Sequence, residues 1–223
     1  RSMEMIRQNI RKYLDSIPNG VELVAVSKFH PQEAILSAYN EGQRIFGESR
    51  ANEFVDKAKS LPDDIKWHFI GHLQTNKVRL ILPHVSLIHS IDSEKLLTLV
   101  NNEAKRINRV VDVLLQIHVA QEDTKYGFVP EELISMIKSE RTISLKNVQI
   151  RGIMGMASNT DDTNRIERDF IAIKKTFDTL KALPNIGDNF SIISMGMSDD
   201  YLLAIKHGSN MVRIGSSIFG CRY

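Results

Sequence analysis

Short runs of branched apolar residues alternate, almost to the end of this 223-residue chain, with longer stretches whose apolar positions recur every three or four residues. The short runs read as buried parallel strands, because a strand covered on both faces has no polar side to show. They fall at Glu22–Ser27, Arg44–Phe46, Trp67–Ile70, Leu87–His89, Asp112–His118, Gln149–Ile153, Ser191–Ser194 and Val212–Ile214. The longer stretches read as amphipathic helices. One, Met3–Leu14, precedes the first strand; the others are Gln32–Asn40, Ser49–Ser60, Thr75–Leu80, Ser93–Arg106, Pro130–Ser139, Asp161–Ala182 and Ser198–Lys206. Asp92-Ser93, Pro130 and Thr160-Asp161-Asp162 supply helix-start chemistry. Eight strands alternating with helices predict an α/β fold: one (β/α)8 TIM barrel with an extra N-terminal helix, a single domain over 1–223. An open doubly wound sheet is the competing architecture, but it would carry a glycine-rich phosphate loop after its first strand. Here that strand runs Leu23-Val24-Ala25-Val26-Ser27-Lys28 into Phe29-His30-Pro31, without glycine.

Barrels carry their chemistry at the carboxyl ends of the strands. Lys28 is the one long amine at the end of the first strand, where a lysine can form a Schiff base with a carbonyl compound. The other ends are Phe46-Gly47-Glu48-Ser49-Arg50, Trp67-His68-Phe69-Ile70-Gly71-His72, Arg151-Gly152-Ile153-Met154-Gly155-Met156, Ser194-Met195-Gly196-Met197-Ser198-Asp199-Asp200 and Val212-Arg213-Ile214-Gly215-Ser216-Ser217. The last two fit a phosphate site, since barrels often bind phosphate after strands seven and eight. Gly196 and Gly215 would let backbone N–H groups approach an anion, and Ser198 and Ser216 would add hydroxyls. The same residues also suit plain turns and helix caps. Alternation points Arg213 away from Val212 and Ile214; if those two pack outward against helices, it enters the barrel mouth, where it needs an anion, an acceptor or a carboxylate such as Glu48.

Composition narrows the partners. Hydrophobic residues make up 42%, enough for a sizeable core, and a net charge of +2 gives no reason to expect nucleic acid or a membrane surface. The single cysteine, Cys221, excludes an internal disulfide and points to a reducing, cytoplasmic setting. No stretch approaches a membrane span, and no signal-peptide core is present. Seven histidines include His68 and His72, four apart, but no third ligand completes a zinc site, so they read as structural or ring-contact groups. Glu122-Asp123 reads as a solvated loop.

Five segments in order carry a resemblance: Val24-Ala25-Val26-Ser27-Lys28, Phe46-Gly47-Glu48, Trp67 to Gln74, Ser194 to Asp200, and Val212-Arg213-Ile214-Gly215 with Ile218-Phe219-Gly220. With these the chain resembles the pyridoxal phosphate (PLP) homeostasis family, the YggS/PROSC-like PLP-binding proteins. The family's fold is a barrel like the N-terminal domain of alanine racemase. The resemblance implies PLP as cofactor, held by Lys28 as an internal aldimine. It implies Ser198, Gly215 and Ser216 as phosphate contacts and Arg213 as partner of the pyridine nitrogen. It also places Met154, Ser194, Gly196, Met197 and His72 at the cofactor. Many relatives read Gly-Glu-Asn where this chain has Gly47-Glu48-Ser49, so the ring contact falls to the shorter Ser49, with Asn52 as a substitute. The implied role is PLP storage and delivery to apo-enzymes by a monomer rather than catalysis. A weak amino-acid racemase is the alternative, but racemisation needs a second base opposite Lys28, and Tyr126 is the only loop tyrosine available for it. A sugar-phosphate Schiff-base enzyme without PLP is a further reading.

Overall fold

The computed structural model describes residues 2–120 and 126–221. They form eight parallel strands closed into a barrel in sequence order: β1 Glu22–Val26, β2 Ile45–Glu48, β3 Lys66–Phe69, β4 Leu87–Ile91, β5 Val111–Gln116, β6 Val148–Met154, β7 Ile192–Ser194 and β8 Met211–Ile214. Closure is made by β8 against β1, with Leu23 opposite Val212 and Val24 opposite Arg213. The helices are α1 Met3–Ser16, α2 Gln32–Tyr39, α3 Ala51–Ser60, α4 Val78–Ile81, α5 Glu94–Arg106, α6 Pro130–Lys138, α7 Glu140–Ile143, α8 Thr163–Lys181, α9 Tyr201–Lys206 and α10 Ser216–Phe219.

The strand period of two separates two cores. Inward-facing Val24, Leu87, Leu114, Met154 and Met211 form a small cluster that plugs the barrel. The intervening residues, among them Leu23, Ala25, Phe46, Ile88, Val113, Ile153 and Val212, face outward into the larger core beneath the helices. The extra helix α1 buries Ile6 and Ile10, and Asn9 donates to the Ile218 carbonyl, so α1 is tied to the short helix after β8.

The expected elements are present with shifted ends. Ser93 and Asp162 cap α5 and α8 by accepting backbone N–H groups, and Pro130 occupies the first turn of α6. The expected helix at Thr75–Leu80 is a 3-10 turn, Thr75–Lys77, followed by α4. The helix expected from Ser198 begins at Tyr201, because the Asp200 carboxylate accepts from the Met197 N–H and holds the preceding residues as a turn. Strand β5 ends at Gln116; Ile117 continues it only as an isolated bridge to Phe128. Helices α7 and α10 were not anticipated, since four residues are too few to show a helical period. The loop reading of Glu122-Asp123 falls outside the described residues. No helix of the described residues is long and apolar enough to cross a membrane.

Candidate functional site

Strand β1 is buried from Leu23 to Val26, so the chain emerges at the carboxyl rim with Ser27 buried and Lys28 half-buried. Pro31 then occupies the N-cap of α2 with extended backbone. Lys28 lines a cavity of about 940 Å³, together with Met197 and Ser198 after β7, and Arg213, Gly215 and Ser216 at β8. The first strand and the last two thus contribute to one cavity because barrel closure makes β8 the neighbour of β1.

Arg213 is 4% exposed and points inward, as alternation predicts. Its guanidinium donates to the Ser194 hydroxyl and, at 3.3 Å, to the Gly155 carbonyl. Burial lowers its pKa to about 10, opposed by the Asp200 carboxylate, so Arg213 is a cation at neutral pH. The carboxylate pairing with Glu48 does not form. Glu48 is fully buried on β2 and accepts instead from the Ser27 hydroxyl and from Lys57 Nζ, at 3.0 and 3.1 Å. Asp200 is the acid nearest in influence to Arg213; its own pKa is raised, chiefly by burial.

Behind Ser194 the polar groups continue into the barrel. Ser194 Oγ lies 2.9 Å from His89 Nδ1, and His89 Nε2 lies 2.9 Å from His68 Nδ1. Both rings are buried, and burial lowers His68 to about 3 and His89 well below the ordinary value, the latter with help from His68 and Arg213. The unfolded chain takes up these protons near pH 6.5 and the folded chain does not, so it binds fewer protons across that window. Stability is therefore full above pH 6.5 and falls as the pH drops toward about 3, by up to about 1.4 kcal/mol per pH unit for each histidine kept neutral. Urea unfolding at pH 7, 6 and 5 should show this slope. His89→Asn, which cannot be protonated, should reduce the slope to the part that His68 contributes.

In the cavity wall Ser198 Oγ accepts from the Gly215 N–H at 3.4 Å. The two expected anion contacts are thus each other's partner, and an anion would take over the Gly215 donor. Ser216 and Ser217 start α10, where first-turn N–H groups have no carbonyl within the helix. Gly196 has φ +104°, and a Cβ there would lie 2.7 Å from the Ala204 Cβ. It lets α9 pack against the end of β7, and its carbonyl accepts from the Arg213 N–H.

The remaining expected residues lie elsewhere. Met154 is buried in the barrel plug. Ser49, Asn52 and His72 line a second cavity of about 610 Å³, walled also by Phe29, Arg50, Glu53 and Lys77. His72 stacks on Tyr126, with ring centroids 3.9 Å apart, and its Nδ1 is 3.4 Å from Asp92. His68 and His72 do not share a strand face, because β3 ends at Phe69. Among the described residues no cluster of histidine, cysteine and acids has the geometry to hold a metal.

One group that sequence reasoning missed is Lys57. It belongs to α3, yet it is only 5% exposed and its ammonium reaches Glu48, Glu53 and the Ser27 carbonyl. The available signal was its spacing: Glu53 and Lys57 lie four apart on one helix, the spacing of an ion pair.

The closed barrel with an amine at β1 and polar ends at β7 and β8 defines the alanine racemase N-terminal class, and the family model described as "Alanine racemase, N-terminal domain" matches residues 2–223. Alanine racemase from E. faecalis shares this fold, with a TM-score of 0.76 at 19% identity, the chain covering 58% of that longer protein. Within the class, the chain belongs to the pyridoxal phosphate homeostasis protein family. The relative of that name from Schizosaccharomyces pombe is 41% identical, over 96% of this chain and 90% of the relative. That from Pasteurella multocida is 36% identical over 100% and 97%. The structure of PipY of Synechococcus elongatus with PLP bound is similar at a TM-score of 0.89 and 33% identity, over 96% of this chain and 100% of PipY.

Proposed function

We propose that this protein binds PLP at the Lys28 cavity and serves in its intracellular storage and delivery, without turning over a substrate. The observation that carries the reading is the convergence of Lys28, Arg213, Ser198, Gly215 and Ser216 on one cavity of about 940 Å³, within the size range of small-ligand sites. The donor set fits the cofactor: an amine for an aldehyde, a buried guanidinium for a ring nitrogen, and hydroxyl and backbone donors for a phosphate. When bound, PLP supplies an aldehyde that a lysine amine can capture reversibly.

The residues of this chain then have distinct roles. Lys28 is the amine. Ser198, Gly215 and Ser216 would hold the phosphate, with Met197 and Gly196 shaping that end. Arg213, kept cationic and held by Ser194 and Gly155, would disfavour a proton on a facing ring nitrogen. That environment weakens the ring as an electron sink, which suits holding the cofactor more than catalysis. Met154 would contribute only from beneath, in the barrel plug. Ser49, Asn52 and His72 line the other cavity, with Phe29, and not the one that Lys28 lines. The racemase reading needs a second base, and Tyr126 stacks on His72 and does not line the Lys28 cavity.

The test is the absorption spectrum of the purified protein, before and after borohydride reduction, with mass mapping of the reduced chain. The expected result is a violet-edge band that reduction converts into a label on the Lys28 peptide, and loss of both in Lys28→Ala. PLP content unchanged in Lys28→Ala would sink the reading. Steady racemisation of alanine or serine above the rate of free PLP would overturn the non-catalytic part.

A further inference from the structure

Lys28 lies just past the end of β1, between two residues that are held by side chains from β2 and α3. On one side, the Ser27 hydroxyl donates to Glu48, and the Ser27 carbonyl accepts from Lys57 Nζ at 2.9 Å. On the other, the Phe29 N–H donates to Glu53 Oε2 at 2.6 Å, with Phe29 at φ +68°. A left-handed backbone is unfavourable for a residue with a bulky side chain, so something must hold it. The two carboxylates share one cation: Lys57 Nζ lies 3.0 Å from Glu48 Oε2 and 2.7 Å from Glu53 Oε2. Glu53 puts both bonds through a single oxygen and leaves Oε1 buried without a hydrogen-bond partner among the described residues. Its orientation therefore follows Phe29 and Lys57 rather than full satisfaction of the carboxylate.

This cluster is an expensive way to fill space. Buried ion pairs are weak stabilisers compared with apolar side chains of equal volume. What apolar groups could not supply is directional bonds to the residues before and after Lys28. The arrangement also sorts side chains, since Lys28 lines the larger cavity while Phe29 lines the smaller one.

We propose that Lys57, Glu48 and Glu53 form a positioning clamp that fixes the backbone of Lys28 and thereby sets how long a carbonyl ligand stays attached to it. This rests on the reading of Lys28 as the PLP amine. Glu53 is the accessible handle, because Glu53→Ala leaves the Lys57–Glu48 pair in place. Glu53→Gln keeps an amide oxygen that can accept from the Phe29 N–H.

The experiment uses the full chain and two readouts. Amide hydrogen exchange at Phe29 is followed in the PLP-free protein, and PLP release is followed by transfer to an excess of an amine trap. In Glu53→Ala the expected result is faster Phe29 exchange with the barrel strands still protected, and release about tenfold faster. Glu53→Gln should restore both most of the way. Exchange and release within about twofold of the unaltered protein would overturn the clamp. So would faster Phe29 exchange with unchanged release, which would make the contact merely structural. If the unaltered protein takes up no PLP on Lys28, the proposed function fails. Phe29 exchange alone then judges the clamp, and an unchanged rate in Glu53→Ala removes it.

Discussion

Lys57→Met should lower the unfolding free energy by about 3–5 kcal/mol, the usual result of removing one partner from a buried ion pair. The methionine fills much the same volume, so a cavity is not the cause. The loss comes from Glu48, which is fully buried and would be left charged without its cation. Burial already holds the Glu48 carboxyl above its ordinary pKa despite Lys57 and Ser27, and loss of Lys57 pushes it further up. A carboxyl whose folded pKa exceeds its unfolded value favours folding below the unfolded pKa and loses that contribution as the pH rises through the folded one. The defect should therefore be smaller at pH 5 than at pH 8. Adding Glu48→Leu should recover a large part of the stability at neutral pH, because a fully apolar replacement leaves no charge stranded. Urea unfolding of the single and double variants at both pH values checks each step. A double variant no more stable than the single one would show that the cost lies elsewhere.

Gly152→Ala should be at least as damaging, about 4 kcal/mol or more, in the range reserved for a broken backbone arrangement. Gly152 sits in β6 opposite Ile192, with φ +152°. A Cβ on it would lie 1.9 Å from the Ile192 carbonyl oxygen and 2.7 Å from the carbon of that carbonyl. No rotamer relieves this contact, since it is with backbone. Strands β6 and β7 must separate, and β7, with only three residues, has few other bonds to hold it. Ser194 at the end of β7 would move with it and take away an acceptor of Arg213. Thermal unfolding should drop by many degrees, and PLP uptake should fall even where the chain still folds. A thermal midpoint within a few degrees of the unaltered protein would contradict this reading.

The fold was legible because its signals are local. Each strand is a short apolar run and each long helix a repeat of apolar positions, and Ser93, Pro130 and Asp162 mark three helix starts with the capping chemistry seen in the structure. Alternation set Arg213 on the face opposite Val212 and Ile214, and the packing of those two into the outer core turned it inward. The short elements α7 and α10 and the late start of α9 were not legible, since hydrogen bonds such as Asp200 to Met197 decide them, not a period.

The amino-acid sequence alone thus determined the alternation of strands and helices, together with the placement of Lys28, Ser198, Arg213 and Gly215 at strand ends, because period is a property of neighbouring residues. Only the tertiary structure decided who faces whom. Barrel closure brought β1 and β8 together, so Lys28 and Arg213 share a cavity. It set Ser49, Asn52 and His72 in a separate one. It gave Glu48 to Lys57 rather than to Arg213, since a helix on the outer layer reaches that carboxylate and the inward guanidinium bonds to Ser194 and Gly155 instead. A partner in space is chosen by distance and desolvation across the barrel, and no linear spacing records either.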